Sequence, residues 1–237
     1  MSLESEVNLS DNISLVRQNI RSAALKVGRN PDDILLLGVT KTVDVEMMQR
    51  SYDLGITDFG ENRVQEFVRK SDIINRKCNW HIIGRLQTNK VRYLDQRIAL
   101  IHSLDRLELA EALQKRGERL NYIFPVLIEV NVSGESTKAG IQPDEVKNFL
   151  LKLSKMGNIK VKGLMTIAPY TENAEEVRGV FRDLRKLSVD MLRERVENIS
   201  MDQLSMGMSG DYQIAVEEGA TIVRVGSALF GKRVYKP

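Results

Sequence analysis

The sequence predicts an α/β protein built as a (β/α)8 barrel, a TIM barrel, with an extra helix in front. Three observations carry this. Short apolar runs alternate with helical patterns eight times, as in a parallel sheet with helices outside. The 237 residues suit one barrel, which typically needs about 250. No GxGxxG motif follows a strand, which argues against an open dinucleotide-binding sheet. No linker or low-complexity segment divides the chain, so residues 1–237 are expected to form a single domain.

Composition narrows the function. The chain is 42% hydrophobic and 28% charged, ordinary for a globular protein. A formal net charge of +3 is too small to imply nucleic acid. No stretch is apolar for long enough to span a membrane. Met1 to Asn8 is acidic and polar, unlike a signal peptide. Cys78 is the one cysteine, so no intrachain disulfide can form, which suits a reducing cytoplasm. With His81 and His102 the only histidines, no metal site is expected.

Taken in order, Asp11 to Val27 carries apolar residues at helical spacing, with Ser10 as N-cap and Gly28 as stop. Leu35 to Thr42 follows, an apolar run that reads as a strand buried on both faces and runs into Lys41. A helix from Asp44 to Leu54 leads to a second strand, Ile56 to Gly60, which delivers Glu61, Asn62 and Arg63. Val64, Phe67 and Val68 continue as a helix face. Asn79 to Gly84 is the third strand, followed by Arg85 to Lys90 and a short basic helix. Ile98 to Ser103 is the fourth. Asp105 caps the next helix, with Glu108 three residues later. In the fifth strand, Pro125 to Val132, the valines and isoleucine face the helices while Leu127, Glu129 and Asn131 point inward. Gly134 to Gly140 is a polar loop, and Pro143 opens a helix. Lys160 to Thr166 is the sixth strand and Glu172 to Arg195 a long charged helix. Gln203 to Met206 is the seventh strand, then Tyr212 to Glu218 a short helix, and Thr221 to Gly226 the eighth strand.

In a barrel the site lies at the C-terminal ends of the strands. Lys41, Asn62, the Gly84 turn, Asn131, Thr166, Ser209 and Arg224 all fall there. Lys41 is either a lysine that has reached solvent or a Schiff-base lysine whose amine attacks a carbonyl. Gly207-Met208-Ser209-Gly210 and Gly226-Ser227-Ala228, after strands seven and eight, each offer backbone amides and a serine hydroxyl. They read either as tight turns or as a phosphate cup. By alternation Arg224 points inward with Ile222 and Gly226. Its charge is permanent, so it needs a partner: a pyridine nitrogen, or an inward carboxylate such as Glu129.

The chain resembles, over nearly its whole length, the YggS/PROSC family of pyridoxal-phosphate-binding proteins, the PLP homeostasis proteins. The matching stretches are Leu36 to Lys41, Phe59 to Asn62, Trp80 to Lys90, Gly163 to Thr166 and Leu204 to Ser209. The family is similar to the barrel domain of alanine racemase and of the fold-type III decarboxylases. The resemblance implies pyridoxal 5'-phosphate (PLP) as cofactor, with Lys41 forming its aldimine. It implies that Ser209, Gly226 and Ser227 hold the phosphate, that Arg224 faces the pyridine nitrogen and that Asn62 lies beside the ring. Met206 joins the binding set, and His81, Asn131 and Thr166 line the site. The family often shows an acidic pair after the seventh-strand serine; here Gly210 takes the first place and Asp211 the second, so Asp211 is assigned no role.

The function implied is a cofactor carrier that stores, buffers or delivers PLP, with PLP-dependent apo-enzymes as recipients. It is expected to be a cytoplasmic monomer with no catalytic residue. Racemases of this fold use a tyrosine from a separate β domain as second acid/base, and this chain is expected to end too soon to carry it. Tyr170 and Tyr212 are the imaginable substitutes. Arg224 would also weaken the ring as an electron sink. The rival readings are an amino-acid racemase or other lysine-dependent barrel enzyme, and an RNA- or partner-binding module using Lys90, Arg92 and Arg97. The last reads better as a solvated helix face.

Overall fold

The apolar runs pair side by side in sequence order. The computed structural model describes residues 8–74, 76–135 and 138–231. Within these, the parallel strands β1 Leu35–Val39, β2 Asp58–Glu61, β3 Asn79–Ile82, β4 Ile98–Leu104, β5 Phe124–Glu129, β6 Ile159–Met165, β7 Ile199–Ser205 and β8 Ile222–Val225 form a closed barrel. β8 returns to pair with β1, placing Leu37 beside Arg224. The helices are α1 Leu9–Lys26, α2 Val45–Asp53, α3 Val64–Ile73, α4 Leu107–Leu120, α5 Val146–Leu153, α6 Arg178–Arg193, α7 Tyr212–Glu217 and α8 Ser227–Phe230. The barrel with its leading helix is thus the expected fold. The polar stretch at residues 1–7 lies outside the described residues, as do residues 136 and 137 of the loop after β5.

Strand alternation divides the core in two. Leu37, Leu100, Leu127, Met165 and Ile222 pack inside the barrel. Val126, Ile128 and Val130 pack outward, in the larger layer between strands and helices. Each such side chain, fully buried, contributes about 1.5–3 kcal/mol. α1 buries Leu9, Ile13, Val16, Ile20, Ala23 and Ala24. It lies across α7 and α8: Asn19 Nδ2 donates to Tyr212 Oη at 2.9 Å and Asn12 Nδ2 to the Leu229 carbonyl at 3.0 Å.

Several boundaries differ from expectation. α1 starts earlier, because Asn8, not Ser10, caps it by accepting from the Asp11 amide. The cap position of α4 is Arg106, with no side-chain cap bond. Asp105 instead pairs with Arg106 and Arg85. The basic helix after β3 is a 3-10 helix, Thr88–Tyr93. The long charged helix splits into a 3-10 turn, Ala174–Val177, and α6. β7 starts four residues earlier, at Ile199, because β6 pairs with it there despite its mixed polarity.

β6 and β7 approach closely at Gly163. Its φ is +153°, and a Cβ there would lie 1.8 Å from the Gln203 carbonyl oxygen. The register between the two strands shifts at this point. Gly163→Ala is therefore expected to destabilise the barrel by about 3 kcal/mol or more. Gly157→Ala, with nothing within 4 Å of the added carbon, should change stability by less than about 0.5 kcal/mol. Urea unfolding of the two variants beside the parent measures both.

Candidate functional site

At the C-terminal ends of the strands the barrel opens into a cavity of about 480 Å³, within the usual range for small-molecule sites. Lys41, Asn62, Asn131, Ser209, Arg224, Gly226 and Ser227 all border it. So do Arg85, Glu129 and Lys138. These arrive from the ends of separate strands, which is what barrel closure does to residues far apart in sequence.

Lys41 follows β1 by two residues and is half-buried at the cavity edge, on the same side as Val39. Asn62 follows β2. Its backbone is crowded by the turn after β3: a Cβ on Gly84 would lie 2.6 Å from the Asn62 carbonyl oxygen. Only glycine lets those two strand ends close on one another. On the opposite wall, Ser209 ties the loops after β7 and β8 together. Its hydroxyl accepts from the backbone amides of Gly226 and Ala228, each at 3.2 Å. Asp211, without an assigned role in the sequence reading, pins the same loop by accepting from the Met208 amide. Burial raises its carboxyl above the usual range, with the Met208 amide and the Arg224 charge acting against that.

Arg224 forms the inner wall. It is 4% exposed. Nη1 donates to Ser205 Oγ at 2.7 Å and Nη2 to the Thr166 carbonyl at 2.9 Å. Burial depresses it to about 10, with Asp211 and Glu129 pulling the other way, so it stays charged at neutral pH. Its expected structural partner, Glu129, acts on it through space. Burial pushes the Glu129 carboxyl up to about 7, reinforced by Asp105 and opposed by Arg224 and Arg85. A carboxyl that titrates near neutrality therefore faces the cavity.

Below Arg224 a hydrogen-bonded chain crosses the barrel interior. Ser205 Oγ lies 2.8 Å from His102 Nδ1, His102 Nε2 lies 2.9 Å from His81 Nδ1, and His81 Nε2 lies 3.1 Å from Asp58 Oδ1. Burial alone would raise the Asp58 carboxyl, but hydrogen bonds from His81, Thr57 and Asn79 outweigh it and hold it below the usual range. Ionised Asp58 can only accept, so His81 donates from Nε2. Burial, with His81 and Arg224 nearby, holds His102 well below 6.5 and therefore neutral. Ser205 accepts from Arg224, so its hydroxyl hydrogen goes to His102 Nδ1, and the neutral His102 donates from Nε2 to His81 Nδ1.

Three residues named from the sequence do not border the cavity. His81 lies deeper, inside this chain. Thr166 is buried, with Oγ1 donating to the Val130 carbonyl at 2.8 Å while its own carbonyl holds Arg224. Met206 is fully buried in the outer apolar layer, because alternation turns Ser205 inward and its neighbours outward. Neither tyrosine reaches the cavity: Tyr170 is 94% exposed, and Tyr212 is buried under α1. The basic run makes local contacts: Arg97 pairs with Asp95 and Asp72, and Arg92 lies over the Tyr93 ring.

Comparison with known proteins places this geometry in context. The profile of the alanine racemase N-terminal domain matches residues 12–234. A pyridoxal phosphate homeostasis protein from Aquifex aeolicus is 48% identical over 230 residues, covering 97% of this chain and all of the relative. The solved structure of PipY from Synechococcus elongatus with PLP bound superposes with a TM-score of 0.82. It is 30% identical and covers 94% of this chain and all of that one. An alanine racemase from Clostridium difficile shares the fold, at TM-score 0.74 and 18% identity, over 94% of this chain and 57% of its own.

The interior chain has a measurable pH signature. His102 is neutral when folded but titrates near 6.5 when unfolded. Below that pH the unfolded state binds a proton that the native state refuses, so stability falls as pH falls. His102 contributes a slope of about 1.4 kcal/mol for each pH unit below 6, and the raised Glu129 carboxyl contributes one of opposite sign over the same range. Urea unfolding of Glu129→Gln between pH 5 and 7 removes the second and reads the first. Long-range nitrogen–proton NMR should show His102 as the Nε2–H tautomer throughout; an Nδ1–H tautomer at neutral pH contradicts the chain direction.

Proposed function

This chain belongs to the alanine racemase N-terminal-domain family and to its pyridoxal phosphate homeostasis proteins, and we propose that it binds PLP, carries it covalently on Lys41 and serves intracellular PLP homeostasis by storage, buffering or delivery. One observation carries the reading. A single cavity brings together a lysine, a set of hydroxyl and amide donors, and an enclosed guanidinium. That donor set fits the group. Ser209, Gly226 and Ser227, on the loops after β7 and β8, suit a phosphate, and Lys41 suits the aldehyde. When bound, PLP would supply an electrophilic carbonyl carbon, to which Lys41 would offer its amine with loss of the aldehyde oxygen as water. Asn62 would lie beside the ring, and Asn131 lines the same cavity.

Arg224 decides what such a site does best. A guanidinium can only donate, so facing a ring nitrogen it holds that nitrogen unprotonated. That weakens the ring as an electron sink and favours carrying over catalysis. The reading therefore names no catalytic residue. It places the protein in the cytoplasm as a monomer, with residues 1–237 as one domain and PLP-dependent apo-enzymes as recipients.

A second reading, an amino-acid racemase or other PLP-dependent barrel enzyme, draws on Glu129. Its carboxyl titrates near neutrality inside the cavity, as a general acid/base requires. Proton NMR in deuterium oxide with excess L-alanine separates the two. The carrier reading expects little loss of the α-proton signal; loss at about 1 per second or faster, within ordinary enzyme turnover, favours the enzyme and Glu129→Gln should then abolish it.

Two variants test the carrier site directly. After borohydride treatment of the PLP-loaded protein, mass spectrometry is expected to place the adduct on Lys41, and Lys41→Ala should fold and carry none. An adduct solely on another lysine overturns the assignment. Ser209→Ala with Ser227→Ala should weaken PLP retention by about 1.5–3 kcal/mol per hydroxyl lost, without abolishing the adduct. Equal affinity for pyridoxal and PLP contradicts the phosphate cup.

A further inference from the structure

Beside the cavity, under the turn that carries Lys41, lies a charged cluster that neither the carrier reading nor the core requires. Lys70 on α3 is fully buried. Its amine donates to Glu61 Oε1 at 2.8 Å, to Glu66 Oε2 at 3.1 Å and to the Thr40 carbonyl at 2.6 Å. Glu66 Oε2 also accepts from the Thr42 amide at 3.0 Å. Thr40 Oγ1 donates to Glu61 Oε1 at 2.7 Å, while Glu61 Oε2 is buried with no hydrogen-bond partner. Burial would raise the Glu66 carboxyl, but the Thr42 amide and then Lys70 more than offset it and hold it low.

The cluster is expensive. A buried ion pair is often no more stabilising than apolar side chains of the same volume, and an orphaned carboxylate oxygen adds a further cost. What the charges hold is the backbone on both sides of one residue. The Thr40 carbonyl belongs to the peptide group before Lys41 and the Thr42 amide to the peptide group after it. Thr40 and Val43 close the turn, Val43 N donating to the Thr40 carbonyl at 2.9 Å. Thr42, at the third position of that turn, has φ +67°. This left-handed conformation suits glycine and strains a β-branched residue, and it persists only where surrounding contacts enforce it.

We infer that Glu66 and Lys70, with Glu61, are positioning residues for Lys41: by anchoring both flanking peptide groups they fix the corner of the turn and aim the Lys41 amine into the cavity. The inference rests on the reading of Lys41 as the attachment point. Lys70 does not compete for the aldehyde, since its amine is enclosed and holds three acceptors.

The test compares Glu66→Gln, which keeps an acceptor oxygen for Thr42, with Glu66→Ala, which removes it. Covalent capture of PLP at Lys41 is followed by visible absorbance and by borohydride-fixed mass. Affinity for 4-deoxypyridoxine 5'-phosphate, which lacks the aldehyde, is measured in parallel. Glu66→Ala is expected to slow capture about tenfold or more, as small misplacements of a reacting group do, with affinity for the deoxy compound within about twofold. Glu66→Gln should capture at close to the parent rate. If Glu66→Ala captures as fast as the parent, or loses affinity for the deoxy compound in the same proportion, the positioning role is overturned. If Glu66→Ala does not fold, Glu66→Asp carries the same test, since it keeps the charge but is too short to reach Thr42. If the parent protein fixes no mass on Lys41, the attachment reading itself fails and the inference falls with it. A parent that captures normally beside an unaffected Glu66→Ala sinks the positioning inference alone.

Discussion

Everything at the centre of this barrel answers to one constraint, the burial of the Arg224 charge. A guanidinium removed from water needs its donors satisfied. Two of them find Ser205 and the Thr166 carbonyl. Ser205 passes the demand to His102, His102 to His81 and His81 to Asp58. The positive charge beside the cavity and the negative charge at the start of β2 are thus joined by polar side chains inside an otherwise aliphatic barrel. Leu37, Leu100, Leu127, Met165 and Ile222 fill the remaining space. Because every member is hydrogen-bonded, the chain orders the interior instead of destabilising it.

Much of this was legible in the sequence, and the parts that were not share a cause. Alternation along β8 turned Arg224 inward, and the break of the apolar run after Val39 marked Lys41. Both are local signals, readable within a few residues. The assembly beneath Arg224 is not local. Asp58, His81, His102 and Ser205 stand on four strands, and which inward residues meet depends on register and on shifts such as those between β3 and β4. Met206 shows what a motif match does not carry: the one-residue offset from Ser205 places its side chain in the outer layer, away from the cavity. Thr166 and His81 were drawn to the right strands but sit below the cavity. The cap of α4 was misread because Asp105 has a stronger use, in ion pairs with Arg106 and Arg85.

The site itself combines rigid and adjustable parts. Gly84 packs the turn after β3 against Asn62 with no room for a side chain. The loops after β7 and β8 are held by the Ser209 hydroxyl and by Asp211. α1 holds α8 from outside through Asn12, so the extra N-terminal helix supports the wall of the cavity rather than merely covering the barrel. Against these fixed walls, Glu129 is the group whose charge changes near neutrality.

The interior chain also has a sense of direction. Each bond in it donates the same way, from Arg224 toward Asp58. Reversing the sequence would require the Ser205 hydroxyl to rotate and both imidazoles to exchange tautomers together. It would also leave the buried Ser205 hydroxyl hydrogen with no acceptor among these partners, since a guanidinium can only donate, and would set an unprotonated His81 Nε2 against the ionised carboxylate of Asp58. The two end groups therefore act as a ratchet on the polarity of the barrel interior. A single uncharged amide in place of Arg224, able both to donate and to accept, would free the Ser205 end alone, while Asp58 would still hold the two imidazoles in line.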